Sequence, residues 1–589
     1  MDAGLDTAAG GAAPTRLALL AGATLARLHE AGGGAIAGKA VLDAFGRELW
    51  LAASEGHACI DVNGEAAAEL AASPVVDLAP AAGKPAAAGF IATRPLVLDG
   101  HKLYPQRFWA AETRLAAKLL AHAQADPLGD CAAITAVLDE AFGPAGEGAP
   151  DMQRRAVELG LTRRLLLLSG GPGTGKTTSL ARLVGAVRRL APSLRIAVAA
   201  PTGKAAARAM EAMAATAVEP GASPAMDPAG PIPRGGLTLH RLLGSRGPGR
   251  GFAHGPDDPL PYDLVIVDEA SMIDLEMADA LLAALHPTAR LVLAGDRDQL
   301  ASVEPGSVFG SACQVDEGPI GDCGVVLLRN YRQRDAAQIV GFADAVRSGA
   351  AGGSPVPAAG GPVSLGGFPG ETPAAMMHRV AERVARQHEA LWGRIRATPA
   401  GMAHDDISKL AAGVLADYGR LGLLCALREG LLGAARVSRE IDSRARRALG
   451  IPDARAWYPG RLVIVRGNSP ETGLFNGEIG VCLAANGHLV VAFARGGEPL
   501  AVPVLQMPAC DDAWALTIHQ SQGSEFDTVL LVPAPAGHPL ATRESLYTGI
   551  TRAKSRLEIF GDVAAVAWAS SHPTRRDGDL ARRLSASGR

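Results

Sequence analysis

The chain has 589 residues, with 57 Lys and Arg against 60 Asp and Glu. The resulting net charge of −3 excludes a uniformly basic, histone-like nucleic-acid binder but leaves room for a local basic groove. Hydrophobic residues at 48% and charged residues at 20% exclude a disordered chain, and the length suggests several domains. The seven cysteines form no C-x-x-C element for a zinc or iron–sulfur site, and their odd number predicts reduced thiols. The start, MDAGLDTAAG, carries two acids and no Lys or Arg, unlike a signal peptide. No apolar run reaches the roughly 18 residues of a bilayer span, so a cytoplasmic protein away from the membrane is expected.

From 16 to about 125, apolar and charged residues alternate at helical spacing. The stretch RPLVLDGHKLYPQRFWAAETRLAAKLLAHA has a strand-like start running into an amphipathic helix. Nothing there has catalytic spacing, which predicts a small helical or mixed docking domain over 1–125. Short, nearly uncharged apolar runs follow at 164–169, 195–199, 264–267, 291–294 and 325–328, separated by helical stretches. That is the pattern of strands buried on both faces of a parallel sheet, so 126–328 reads as an α/β domain. Gly/Pro-rich inserts at 219–236 and 246–261 are expected to be loops. A low-complexity stretch at 348–371 leads into a helical segment ending near 448. Residues 457–510 then alternate short strands with the turns Asn476-Gly477 and Asn486-Gly487, which predicts a small antiparallel β unit. The α/β pattern resumes at 515–518, 528–532 and 557–560. The simplest account is a β module inserted between the two parts, 329–456 and 511–589, of a second α/β domain.

Gly170-Gly171-Pro172-Gly173-Thr174-Gly175-Lys176-Thr177, followed by Thr178, is a phosphate-binding loop set between a strand and a helix. Its glycines let backbone N–H groups face the phosphates of ATP, and the helix N-terminus adds a favourable dipole. Lys176 supplies charge to the β- and γ-phosphates, and the Thr177 hydroxyl completes a Mg²⁺ shell. The apolar run 264–267 ends in Asp268-Glu269, two carboxylates at the C-terminal edge of a sheet. Asp268 can hold the Mg²⁺, and Glu269 can orient and deprotonate an attacking water. A third strand end, Ala294-Gly295-Asp296-Arg297-Asp298-Gln299, offers the Gln299 amide as a sensor of the γ-phosphate. Arg332, in Asn330-Tyr331-Arg332-Gln333, and Arg552, in YTGITRAK, are arginines able to reach a nucleotide held by a neighbouring domain.

The order GGPGTGKTT, APTGKAAARA, TLHRLLG, VIVDEASMID, LAGDRDQLASVEPGSVF, NYRQ, TIHQSQGSEFDTV and LYTGITRAK resembles the motif set of superfamily 1 helicases, and within them the RecD group. These motifs run from about 153 to 561, and RPLVLDGHKLYPQRFW resembles more loosely the end of that group's N-terminal domain. The resemblance implies two RecA-like P-loop motor domains with ATP between them, single-stranded DNA across their tops and an SH3-like fold for the β module. Carried over by position, Gln153 contacts adenine, while Lys176, Thr177, Asp268, Glu269, Gln299, Arg332 and Arg552 form the hydrolytic site. Pro201, Thr202, Lys204, Thr238, His240, Thr517 and His519 lie along the DNA path, and Gln520 stands where the group usually has Lys. By themselves, without the resemblance, His240 and His519 read rather as ordinary hydrogen-bonded histidines. Phe475, Arg466 and Arg495 of the β module are placed to stack on or grip DNA, or in the case of Phe475 simply to pack. The activity implied is an ATP-driven 5′→3′ DNA helicase. It would work on duplex ends with RecB-like and RecC-like subunits in a heterotrimer for double-strand-break repair, the nuclease site lying on a partner. A free-standing superfamily 1 helicase, or an assembly subunit with a vestigial ATPase, are the alternatives.

Overall fold

Four sheets organise the chain. The computed structural model describes residues 16–80, 91–144, 151–216, 237–247, 249–330, 337–350, 361–366, 370–398, 404–452, 455–469, 471–494 and 500–585. The whole of the expected loop at 219–236 and the residues 331–336, with Arg332, lie outside them.

The helices Arg16–Ala31 and Ile36–Ser54 pair as a hairpin beside a small sheet. Its strands are β1 (Ile60–Asp61), β2 (Val76–Leu78), β3 (Leu96–Asp99) and β4 (Lys102–Pro105), in the order β1-β4-β3-β2. The helix Gln106–His122 follows β4 directly, and its buried face, including Phe108, Trp109 and Leu115, joins one hydrophobic cluster with the next domain.

That domain is a six-stranded, wholly parallel sheet built from β5 (Leu165–Gly170), β6 (Ile196–Ala200), β7 (Leu237–Thr238), β8 (Leu264–Val267), β9 (Arg290–Gly295) and β10 (Gly324–Leu327). The order is β10-β5-β9-β8-β6-β7. β5, β6, β8 and β9 are buried along their whole length, as strands covered by helices on both faces must be. Because the strands run parallel, the loops after β5, β6, β8 and β9 emerge on one edge, where ligands of open α/β sheets bind.

A second parallel sheet begins with β11 (Val363–Leu365) and β12 (Leu421–Cys425). The chain then leaves it for an antiparallel unit: β13 (Leu462–Val465), β14 (Ile479–Ala485), β15 (His488–Phe493), β16 (Leu500–Pro503) and β17 (Cys510–Asp512), in the order β16-β15-β14-β13-β17. It returns through β18 (Leu516–Thr517), β19 (Phe526–Val532) and β20 (Ala553–Ile559), which complete the order β11-β20-β19-β12-β18. β12 falls inside the stretch expected to be helical. It sits mid-sheet between two helices, and a continuous apolar run such as LGLLC carries no period that separates strand from helix. β11 lies inside the low-complexity stretch, at the sheet edge.

After the helix Val563–Ser571 the chain crosses back over the first domain. The Ala58 N–H donates to Asp577 O at 2.8 Å, and Arg576 donates to Ser302 O at 2.9 Å. Arg583 reaches Asp99 at 2.6 Å and Glu112 at 3.3 Å. The helix Leu580–Ser585 therefore fastens the end of the second sheet's domain to the helix Gln106–His122.

Candidate functional site

A cleft of about 1230 Å³ lies where the two parallel-sheet domains face each other. Gln153, Gly171, Pro172, Gly173, Gly175, Lys176, Thr177, Thr178, Asp268, Glu269 and Gln299 of the first domain line it, together with Gly523, Glu525 and Arg552 of the second. Gly170 and Thr174 line instead a smaller cavity behind the loop, with Asp296 and Tyr547.

The loop after β5 is held open by its own bonds. The Thr174 hydroxyl donates to Gly171 O at 2.7 Å, and Lys176 donates to the carbonyls of Gly170 and Gly171. Asp151 caps the helix Met152–Thr162 by accepting from the Gln153 N–H at 2.9 Å, fixing Gln153 in the first turn. The Gln153 side chain then donates to Thr174 O at 3.2 Å. Gly175 has φ +90°, and a Cβ there would stand 2.0 Å from Gln153 Nε2, so only glycine fits.

Asp268 and Glu269 leave the end of β8 in sequence, and Glu269 takes a left-handed backbone with φ +54°. A non-glycine residue in that region stores strain, a feature that concentrates at functional sites, and here the turned Glu269 N–H donates to the Asp268 carboxylate at 2.9 Å. Burial and the adjoining Glu269 push the Asp268 carboxyl up, against the pull of Lys176. Gln299, 4% exposed, donates to Asp296 at 2.9 Å, while its carbonyl oxygen has no hydrogen-bond partner among the described residues. A buried orphan acceptor bordering this cleft is free to accept from a ligand or water.

The second domain contributes Arg552, 2% exposed, whose guanidinium donates to Thr548 O at 3.1 Å and Ser524 O at 3.4 Å. Thr542 caps the helix Arg543–Ile550, which brings Tyr547 and Thr548 to the interface. The Leu300 N–H donates to Thr548 Oγ1 at 3.0 Å, and Gln522 donates to Leu300 O at 3.1 Å. The loop after β9 is thus bonded on both sides of Leu300 to the facing domain.

A neighbouring groove of about 1360 Å³ gathers Pro201, Thr202, Lys204, His240, His519 and Gln520 with Asn476 and Gly477 of the β module. Burial of the Lys204 ammonium, with Arg208 nearby, lowers its pKa to about 8. Burial and Arg576 lower that of His519. Two residues expected on the path do not line the groove. Thr238 uses its hydroxyl to cap Leu239–Leu242, accepting from the Arg241 N–H at 3.2 Å. Thr517 is engaged with Gln520, whose side-chain oxygen accepts from the Thr517 N–H at 2.9 Å and from its hydroxyl at 3.2 Å. Gln520 therefore braces its own turn, a task Lys could not perform because it has no acceptor.

In the β module, the Phe475 ring lies against Gly203 of the first domain, so close that a Cβ on Gly203 would stand 2.8 Å from Phe475 Cγ. Arg466 pairs with Asp511 at 3.3 Å, and Arg495 lies outside the described residues. Arg208, not among the residues expected at the site, lines the cleft and pairs with Glu525 at 2.7 Å. Its place one helical turn after Lys204 is the only signal the sequence offers.

Residues 153–305 match the AAA domain family, and residues 512–559 match the UvrD-like helicase C-terminal domain. The RecBCD enzyme subunit RecD of Mycobacterium tuberculosis (strain ATCC 25618 / H37Rv) is 33% identical over 500 residues, covering 83% of this chain and 81% of that protein. The same-named subunit of Mycolicibacterium smegmatis is 34% identical over 505 residues, 84% of each chain. The ATP-dependent RecD2 DNA helicase of Deinococcus radiodurans is 31% identical over 74% of this chain and 52% of its own length. With relatives this similar matched along most of their length, and a cleft shared by two parallel-sheet domains, the chain belongs to the RecD family of ATP-dependent helicases.

Proposed function

We propose that the chain is an ATP-driven 5′→3′ DNA translocase, the RecD subunit of a RecBCD-type helicase–nuclease that unwinds duplex ends for recombinational repair. The observation that carries this reading is the shared cleft. Lys176, Asp268, Glu269 and Gln299 stand on one motor domain and Arg552 on the other, beside a groove walled by both domains and the β module.

In this reading the backbone N–H groups of 171–176 and the Lys176 ammonium bind the β- and γ-phosphates. The site fits Mg²⁺: Thr177 and Asp268 bring one hydroxyl and one carboxylate to the same cleft, the sparse protein donor set of an ion that shares its shell with phosphates and water. When bound, the ion neutralises charge developing on the transferred phosphoryl. Glu269 orients the attacking water and takes its proton, Gln299 accepts a hydrogen bond from that water through its orphan oxygen, and Arg552 stabilises the transition state from the facing domain. Arg332 is a second candidate arginine.

Alternate closing and opening of the cleft moves the strand along the groove, where Pro201, Thr202, Lys204, His240 and His519 grip phosphates without reading bases. The β module, as an SH3-like unit, would steer the displaced strand. RecB-like and RecC-like partners follow from the relatives' name, a RecBCD enzyme subunit. The helical hairpin Arg16–Ala31 and Ile36–Ser54, which exposes Leu17, Leu20, Leu28 and Ile36, is the surface offered to them. The seven free cysteines fit a cytoplasmic setting. The test is strand separation with ATP and Mg²⁺ on duplexes carrying a 5′ or a 3′ single-stranded tail. Unwinding from the 5′ tail supports the reading, and unwinding from the 3′ tail alone, or none with partners present, refutes it.

A further inference from the structure

One face of one helix in the first motor domain clasps three consecutive residues of the second. The helix Gly203–Thr216 carries Lys204 and Arg208 one turn apart, so their side chains emerge on the same side. Lys204 Nζ donates to Ser524 Oγ at 2.7 Å. Arg208 donates to Gly523 O at 3.0 Å, and its other terminal nitrogen pairs with Glu525 Oε2 at 2.7 Å. Gly523 makes this grip possible. Its φ of +70° turns the chain toward the helix, and a Cβ there would touch Ala205.

The clasped loop is also the one on which Arg552 leans. The Arg552 guanidinium donates to Ser524 O at 3.4 Å, and the Phe526 N–H donates to Arg552 O at 2.9 Å. Ser524 thus holds Lys204 on its hydroxyl and Arg552 on its carbonyl. Lys204 lines the strand groove, whereas Arg208 and Arg552 line the nucleotide cleft. A displacement of the loop relative to the helix moves Arg552 relative to Lys176, because both anchors of the guanidinium sit on the loop and on the helix Arg543–Ile550 beside it.

We propose that Lys204 and Arg208 are positioning residues for ATP hydrolysis, holding the 523–525 loop against the first motor domain so that Arg552 is set over the phosphate-binding loop. The Arg208–Glu525 contact pairs two opposite charges, with Glu525 11% and Arg208 40% exposed, whereas the Lys204 ammonium meets a neutral hydroxyl. Lys204 ties the same loop to the strand groove. A phosphate entering the groove competes for the ammonium with the neutral Ser524 hydroxyl, so strand occupancy is felt at Arg552 through one residue.

The inference rests on the assignment of the cleft to ATP hydrolysis, and the test separates the two. Full-length wild type, Arg208→Glu, Glu525→Arg and the double variant are compared for single-strand-stimulated ATP turnover, with kcat and KM for ATP resolved and folding checked by thermal unfolding. Each single exchange is expected to lower kcat at least tenfold with KM for ATP changed less than threefold. The double exchange, which restores the pair with its charges reversed, is expected to recover kcat to within threefold of wild type. A double variant no faster than the slower single variant overturns the proposal, as do single variants with wild-type kcat or an effect confined to KM. Arg208→Gln and Glu525→Gln replace any charge-reversed chain that does not fold, and each must then show the same fall in kcat, its absence overturning the proposal. A wild type with no strand-stimulated turnover overturns the assignment of the cleft itself, and the positioning role with it.

Discussion

The Tyr547 hydroxyl, carried by the second motor domain, donates at 3.2 Å to the Asp296 carboxylate of the first. The same carboxylate accepts from Gln299 at 2.9 Å and from the Asp298 N–H at 3.1 Å, so one buried group joins Gln299 to the facing domain. Burial and Asp296 together hold the Tyr547 phenol well above its usual range, which keeps it a donor at any working pH. Tyr547→Phe removes one bond to a charged acceptor while the ring still fills its place. A loss of about 1.5–3 kcal/mol is expected, read as a fall of roughly ten- to 150-fold in strand-stimulated kcat with the thermal midpoint within a few degrees of wild type. Unchanged kcat would show that Asp296 does not transmit domain contact to Gln299.

Lys176→Gln should lower ATP turnover at least about a hundredfold, the scale set by removing one preorganised contact to developing charge. The fold should survive, because the lysine's bonds in this structure are to two carbonyls of its own loop. Single-strand affinity should remain within a few-fold, since the groove is walled by other residues. Normal turnover in this variant would remove the loop from the hydrolytic site.

Partner docking through the helical hairpin is testable without deleting it. The helix Gln106–His122 shares a hydrophobic cluster with the first motor domain, so removing 1–125 would open that core and confound the result. Leu17, Leu20 and Leu28 are exposed on the outer side of the hairpin. Replacing all three with Ser is expected to abolish co-purification with the partner subunits while changing stability by only about 0.5 kcal/mol per site. Assembly at wild-type yield would move docking elsewhere.

His388 predicts a pH dependence of stability. It is 4% exposed among Trp392, Tyr418 and Trp514, with its ring centroid 4.8 Å from that of Tyr418, and burial lowers its pKa to about 4. The unfolded chain takes up a proton near pH 6.5 that the folded chain refuses until about pH 4. Stability from this group is therefore complete above about pH 6.5 and is lost as the pH falls toward 4, by up to about 3 kcal/mol. Thermal unfolding from pH 7 to pH 4.5 should show a shallower decline for His388→Phe than for wild type. Parallel declines would assign the acid sensitivity to other groups.

The elements legible in the sequence are those where a buried strand runs into a chemical motif. The loop 170–177 and the pair Asp268-Glu269 follow short apolar runs that their motifs mark as strands, so their place on the sheet edge follows. β7, two residues long, is too short to show a period, and β12 is hidden between two helices by its continuous apolar run. The residue types at Thr238 and Gln520 fit a strand path or a local brace equally well, and only their hydrogen bonds distinguish these. The bonds from Arg208 to Gly523 and Glu525, and from Arg576 to Ser302, join residues hundreds of positions apart, which no local pattern encodes.

Hydrolysis of ATP between the two motor domains, with the second supplying Arg552, is the proposal on which the others depend. The most direct measurement is the turnover number of Arg552→Ala at saturating ATP and single-stranded DNA, alongside its affinity for ATP. The account predicts a fall in kcat of about 10³-fold or more with little change in nucleotide affinity, as for a lost arginine finger. Wild-type turnover at saturation, with or without weaker binding, would contradict it.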